Sequence, residues 1–200
     1  MGELKREVPS HAVHLCIDMQ RIFSSDGPWP TPWMERVLPN ALALTGHAPV
    51  RTIFTRFITP HRACDMPGTW ARYYEKWPET TRERLDPRLL ELMPELQRFV
   101  PPAVVFDKLV YSAFANGRLH AELRARQCDT LIVSGSETDV CVLSSVLGAV
   151  DHGYRVILAA DAVCSSSDES HDALTDLYRR RFDVQIEIAD TEQIIEKWGR

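Results

Sequence analysis

The sequence predicts an α/β protein: a three-layer α/β/α, Rossmann-like fold built on a six-stranded parallel sheet. Three observations carry that expectation. Short apolar runs alternate with helical stretches along the chain. Most of the runs are continuous in Val, Ile and Leu, the pattern of strands buried on both faces. Strand–helix alternation of this kind closes into a parallel sheet with helices on either side. The chain has 200 residues, the size of one well-buried domain, so residues 1–200 are read as a single unit.

The elements follow in order. A strand is predicted over residues 12–18, then a loop over 24–32 rich in proline, then a helix over 31–45. The second strand covers 50–56. Residues 57–86 read as a long irregular stretch, and loops of that length in a domain usually act as covers or binding loops. A helix is predicted over 86–99, a strand over 103–107 and a helix over 116–126. A strand over 130–135 leads into a helix over 139–152. The last elements are a strand over 155–160, a helix over 168–180 and a strand over 184–188. Asn116, Asp139 and Asp168 read as helix caps.

Composition narrows the function classes. Hydrophobic residues make up 44% and charged residues 26%, a globular rather than a disordered mix. The net charge of −5 argues against nucleic acid or an anionic membrane as partner, because both need a basic face. No apolar run reaches the roughly 20 residues that span a bilayer. Residues 1–10 lack a signal-peptide apolar core, so a cytoplasmic location is the expectation. Cys16, Cys64, Cys128, Cys141 and Cys164 are an odd set without CxxC spacing, read as free thiols with no structural metal. No cofactor is expected.

In a parallel sheet the ligand sits beyond the carboxyl ends of the strands, and chemically capable residues gather there. Asp18 ends the first strand, Asp107 and Lys108 end the third, the segment 135–141 follows the fourth, and Asp161 follows the fifth. Cys141 stands between an apolar strand and an apolar-patterned helix. The positive end of that helix favours a thiolate, and its first turn offers N–H groups to a developing oxyanion. By itself Cys141 is equally well read as core packing, Asp18 as a loop acceptor and Lys108 as a solvated surface lysine. As a set they make a nucleophile, a base and a cation that holds both. The histidines compete for the base role, but none ends a predicted strand.

These residues resemble the isochorismatase-like cysteine hydrolases, a family that includes nicotinamidases, N-carbamoylsarcosine amidohydrolases, ureidoacrylate and biuret-type amidohydrolases, and isochorismatases. The resemblance covers about residues 10–190. It rests on Ile17-Asp18-Met19-Gln20 with Phe23, on Asp107-Lys108 followed by Ser112-Ala113-Phe114, on Gly135 with Thr138-Asp139-Val140-Cys141-Val142, and on Gly153-Tyr154 and Asp161-Ala162. It implies a catalytic triad of Asp18, Lys108 and Cys141. It also implies a cis peptide before Glu137, with the backbone N–H groups of Glu137 and Cys141 as the oxyanion hole. Glu137 is bulkier and more acidic than the small or apolar residue associated with that position, which points to contact with substrate. The Asp-x-His metal motif that nicotinamidases carry after the second strand is replaced here by Phe57-Ile58-Thr59. His61 and Asp65 alone make a poor ligand set, so the resemblance implies an enzyme without metal. A homodimer or homotetramer follows from the same resemblance.

The cover loop supplies Trp70, Tyr73, Tyr74 and Trp77, with Arg56, Arg62 and Arg72 in or beside it. Aromatics and arginine suit a small planar substrate, and Phe23, Trp70, Arg72, Tyr74 and Glu137 are the expected binding residues. The same aromatics also suit packing against the body or a second subunit. The function expected is hydrolysis of a C–N bond in a small amide or ureido compound through a thioester. The alternatives are cleavage of a vinyl ether, as by an isochorismatase, and a non-catalytic binding protein on the same fold.

Overall fold

A computed structural model describes residues 4–199. Its six strands are β1 (Val13–Ile17), β2 (Thr52–Phe57), β3 (Val104–Lys108), β4 (Thr130–Ser136), β5 (Arg155–Cys164) and β6 (Ile186–Ala189). All pair in parallel, in the order β3-β2-β1-β4-β5-β6. Its helices are α1 (Met34–His47), α2 (Thr69–Lys76), α3 (Pro94–Gln97), α4 (Arg118–Ala125), α5 (Leu143–Asp151), α6 (Asp168–Arg181) and α7 (Thr191–Lys197).

Alternation along β1 shows the layers. Val13, Leu15 and Ile17 pack with Leu119 and Leu123 of α4, Val146 of α5, and Leu174 and Tyr178 of α6. Cys16 faces the other way, into the cluster that holds Val37, Leu38 and Ala41 of α1 and Leu96 of α3. Leu44 of α1 and Ile194 of α7 cover Ile132 and Ile157 on that same side. The result is the three-layer α/β/α arrangement predicted.

The strand order reverses at β1. The chain builds outward from β1 through β2 to β3, then returns to lay β4 on the other side of β1. Beyond the carboxyl ends of β1 and β4 the connections diverge and leave a crevice, the usual ligand site of such sheets.

Several elements differ from the sequence expectation. The helix over 86–99 is instead a 3-10 turn, Pro87–Leu90, and the short α3. Asp86 caps the turn by accepting from the Arg88 N–H at 2.9 Å, and Pro94 has no N–H with which to continue a helical ladder. The cover segment is not irregular throughout, since it contains α2. Trp70, Tyr73, Tyr74 and Trp77 recur at the helical spacing that signals it. The caps shift as well. Ser167, not Asp168, caps α6, accepting from the Ser170 N–H at 3.2 Å. Gly117, at φ 71°, stands where Asn116 was expected to cap α4. Asp139 lies inside a π-helical turn, Thr138–Val142, that precedes α5. β6 starts at Ile186, because residues 182–185 form a turn and leave Val184 exposed. α7, capped by Asp190 on the Gln193 N–H, was not anticipated.

Candidate active site

The crevice is shaped by a close backbone approach. Gly135 of β4 has φ 118°, and a Cβ there would stand 2.0 Å from the Ile17 carbonyl oxygen. Only glycine lets β4 run this near to β1. The next residue out on β1 is Asp18, fully buried at φ 48°, a left-handed conformation that aspartate tolerates. Its N–H donates toward the Thr55 backbone oxygen at 3.2 Å, and the Thr55 hydroxyl donates to its Oδ1 at 2.6 Å. Gln20 ties the neighbouring chain down. Its amide donates to the carbonyls of Phe57 and Leu90 and accepts from the Phe57 N–H at 2.7 Å.

Lys108, the last residue of β3, reaches across β2. Its Nζ lies 2.6 Å from Asp18 Oδ2, donates to Cys141 Sγ at 3.4 Å and to the Val110 carbonyl at 3.2 Å, and sits 4.9 Å over the Phe57 ring. Lys108 and Cys141 are each 5% exposed, so the three groups meet out of bulk water. Burial disfavours the ammonium, but the Asp18 carboxylate and the contacts to Asp18 and Cys141 outweigh it and hold Lys108 above its ordinary range.

Cys141 differs from the thiolate expected of a helix N-terminus. Burial pushes its pKa up, and the Asp18 carboxylate pushes it the same way, while Lys108 pulls it down. These surroundings favour the thiol over the thiolate. Its π-helical turn and the residue before it are anchored from the β5–α6 connection and from α6. Ser166 Oγ donates to Glu137 Oε2 at 2.8 Å, Ser165 Oγ to Asp139 Oδ1 at 2.5 Å, and the Thr138 hydroxyl pairs with His171 Nδ1 at 2.9 Å. The Val140 and Val142 N–H groups both donate to the Glu137 carbonyl. The Ser136–Glu137 peptide is cis.

Cys141 opens into a cavity of about 310 Å³ walled by Phe23, Trp29, Phe57, Tyr73, Trp77 and Tyr111. Val140 and Glu137 complete its lining. Of the expected binding residues, Phe23 and Glu137 line this cavity. Trp70 stands behind it, 4.7 Å from Tyr111 between ring centroids. Tyr74 is fully buried in the core beneath α2, and Arg72 is exposed on the outside of α2. Sequence reasoning missed Trp29, Phe57, Tyr111 and Val140 as wall residues. The readable signal was position, since Phe57 ends β2 and Tyr111 follows Lys108 closely.

Other rim residues turn away. Asp107 takes a bidentate pair from Arg56 at 2.8 and 3.0 Å, and Asp161 accepts from the N–H and hydroxyl of Thr191. The stretch from the end of β2 offers only a poor ligand set, His61 and Asp65, for the metal that the resemblance associates with nicotinamidases. Phe57 is apolar, Ile58 is packed against the core, and Asp65 is taken by Arg62. Among the described residues no three His, Cys, Asp or Glu side chains converge as a metal-binding group.

Comparison with known proteins places the chain. Residues 12–192 match the isochorismatase domain family model. The chain belongs to the isochorismatase family. It is 30% identical over 186 residues to the uncharacterized isochorismatase family protein YaaI of Bacillus subtilis, covering 92% of this chain and 96% of that protein. It is 30% identical over 167 residues to nicotinamidase 3 of Arabidopsis thaliana, covering 81% of this chain and 77% of that one. Shorter matches, over 83 and 92 residues, span 45% and 43% of two family members from Bacillus subtilis and Dictyostelium discoideum. The crystal structure of a cysteine hydrolase from Pseudomonas syringae pv. phaseolicola 1448A shares the fold, with a TM-score of 0.80 at 23% identity, covering 98% of this chain and 97% of that one. No helix among the described residues is long and apolar enough to cross a membrane.

Proposed function

We propose that this member of the isochorismatase family is a cysteine-dependent hydrolase that cleaves a C–N bond in a small amide or ureido compound, without a metal. The observation that carries the reading is Lys108 Nζ standing 2.6 Å from Asp18 Oδ2 and 3.4 Å from Cys141 Sγ at the floor of a cavity. The likeness to nicotinamidase 3 supports the bond type.

In this reading Asp18 takes the thiol proton as Sγ attacks the carbonyl carbon. Lys108 keeps the proton-carrying pair oriented and balances the charge that shifts from Asp18 to sulfur. The N–H groups of Glu137 and Cys141 take the negative charge that develops on oxygen. Asp18 then returns the proton to the departing nitrogen, the C–N bond breaks, and a thioester remains on Cys141. Water, deprotonated by Asp18, attacks the thioester and releases the acid and the free thiol. The raised Cys141 pKa supports this order, because the base must act during attack rather than before it. Cleavage of a vinyl ether needs an acid but no thiol, and a binding protein needs neither, so the Asp18–Lys108–Cys141 contact favours amide hydrolysis over both.

Ammonia release from a panel of small amides and ureido compounds tests the proposal. The wild type turns over at least one member, Cys141→Ala none, and activity survives chelation. Turnover retained by Cys141→Ala contradicts the nucleophile. Loss on chelation that zinc or iron restores contradicts metal independence.

A further inference from the structure

The cavity beside Cys141 is lined mostly by aromatic side chains. Glu137 is the single charged side chain among its lining residues. One carboxylate oxygen, Oε2, accepts from the Ser166 hydroxyl at 2.8 Å, which fixes the group at the cavity wall. Burial and the neighbouring Asp139 push its pKa up, while the Ser166 contacts pull it down.

Among the described residues no cation lines the cavity beside Glu137. Lys108 lies beneath the Phe57 ring and is paired with Asp18. Arg56 is engaged by Asp107 and Glu91, and Arg72 is exposed on the outside of α2. A substrate carboxylate entering here would lose its hydration, find no donor cation and face a like charge. An ammonium group would donate a charge-assisted hydrogen bond to Glu137 and meet the negative faces of Trp29, Trp77 and Tyr73.

We propose that Glu137 determines substrate choice: the amide cleaved carries a cationic nitrogen on a flat apolar body, and amides bearing a carboxylate are rejected. The proposal rests on the C–N hydrolase reading for its chemistry but not for its binding arm. A role for Glu137 confined to anchoring the turn through Ser166 would affect all ligands alike. A selectivity role changes their ratio.

Two measurements separate these. The first compares kcat/KM for 4-(aminomethyl)benzamide and 4-carboxybenzamide in wild type and Glu137→Gln, a change that keeps size and a hydrogen-bonding oxygen for Ser166. The wild-type ratio should favour the cation by about 100-fold, and Glu137→Gln should shrink it by about tenfold or more. The second measures binding of benzylammonium and benzoate to Cys141→Ala and to Cys141→Ala/Glu137→Gln by calorimetry, which needs no turnover. Benzylammonium should bind better, and the preference should collapse without Glu137. If no compound of the amide and ureido panel is cleaved, these two included, but that binding preference holds, the hydrolase reading fails and the ligand class stands. Equal or better use of the anionic amide, benzoate binding as well as benzylammonium, absent benzylammonium binding, or a preference indifferent to Glu137 each overturns the inference.

Discussion

Strand β1 carries two buried polar groups that meet opposite fates. His14, in mid-strand, is fully buried, and its Nε2 pairs with the Ser134 hydroxyl at 2.8 Å. Thr45 and Thr52 hydroxyls approach its other nitrogen at 3.5 and 3.4 Å. Burial pushes its pKa down to about 3, so it stays neutral. Asp18, at the strand end, is equally buried but keeps a charged partner in Lys108 and has a thiol nearby. The first network satisfies hydrogen bonds with uncharged groups and faces only packed side chains. The second holds a carboxylate paired with an ammonium beside a cavity, so two equally buried groups differ in the company they keep rather than in depth.

Predictions that break this comparison run from large effects to small. Cys141→Ala should lower kcat/KM by about 10⁴-fold or more, with the fold intact by circular dichroism. Acid should attack the His14 network. The unfolded chain protonates this histidine near 6.5, while the native state resists until about 3. Stability is thus fully present above pH 6.5 and falls as pH drops through that window, by on the order of 5 kcal/mol if His14 acts alone. Denaturant midpoints between pH 7 and 4 check the sign, and His14→Phe should flatten the slope.

Lys108→Met leaves the Asp18 carboxylate buried without its counter-ion. It should cost about 3–5 kcal/mol of stability as well as activity, read by urea unfolding. Asp18→Asn should cut turnover by about 10²–10⁴-fold yet speed alkylation of Cys141 by iodoacetamide, because the charge that holds the thiol proton is gone. A slowing of alkylation would show that Asp18 does not raise the thiol pKa. Ser134→Ala, in the neutral network, should cost only about 1–3 kcal/mol and leave kcat/KM unchanged.

Much of this was legible in the sequence, for reasons that the elements themselves show. The strands of the sheet announced themselves as apolar runs because β1 and β4 are covered on both faces. Asp18 and Lys108 were placed on one rim because parallel strands present their ends together. α3 was read as part of a longer helix because Pro94 was passed over as a breaker, and α7 escaped notice because seven residues hold too little periodicity. The direction of the Cys141 shift was missed because the helix end is visible in sequence, while the depth of burial and the nearness of Asp18 are tertiary facts. The cavity wall was half seen for a related reason. α2 faces two ways, sending Tyr73 and Trp77 to the cavity and Tyr74 to the core, and sequence does not fix its rotation.

The central claim is that Cys141, activated by Asp18 and held by Lys108, forms the covalent intermediate. The direct measurement is mass spectrometry of enzyme quenched in acid during turnover of a cleaved amide, followed by peptide mapping. The account predicts an acyl adduct on the peptide containing Cys141, absent from Cys141→Ala and lost when substrate is exhausted. Steady-state turnover by Cys141→Ala at the wild-type rate, with no adduct on either protein, would contradict it.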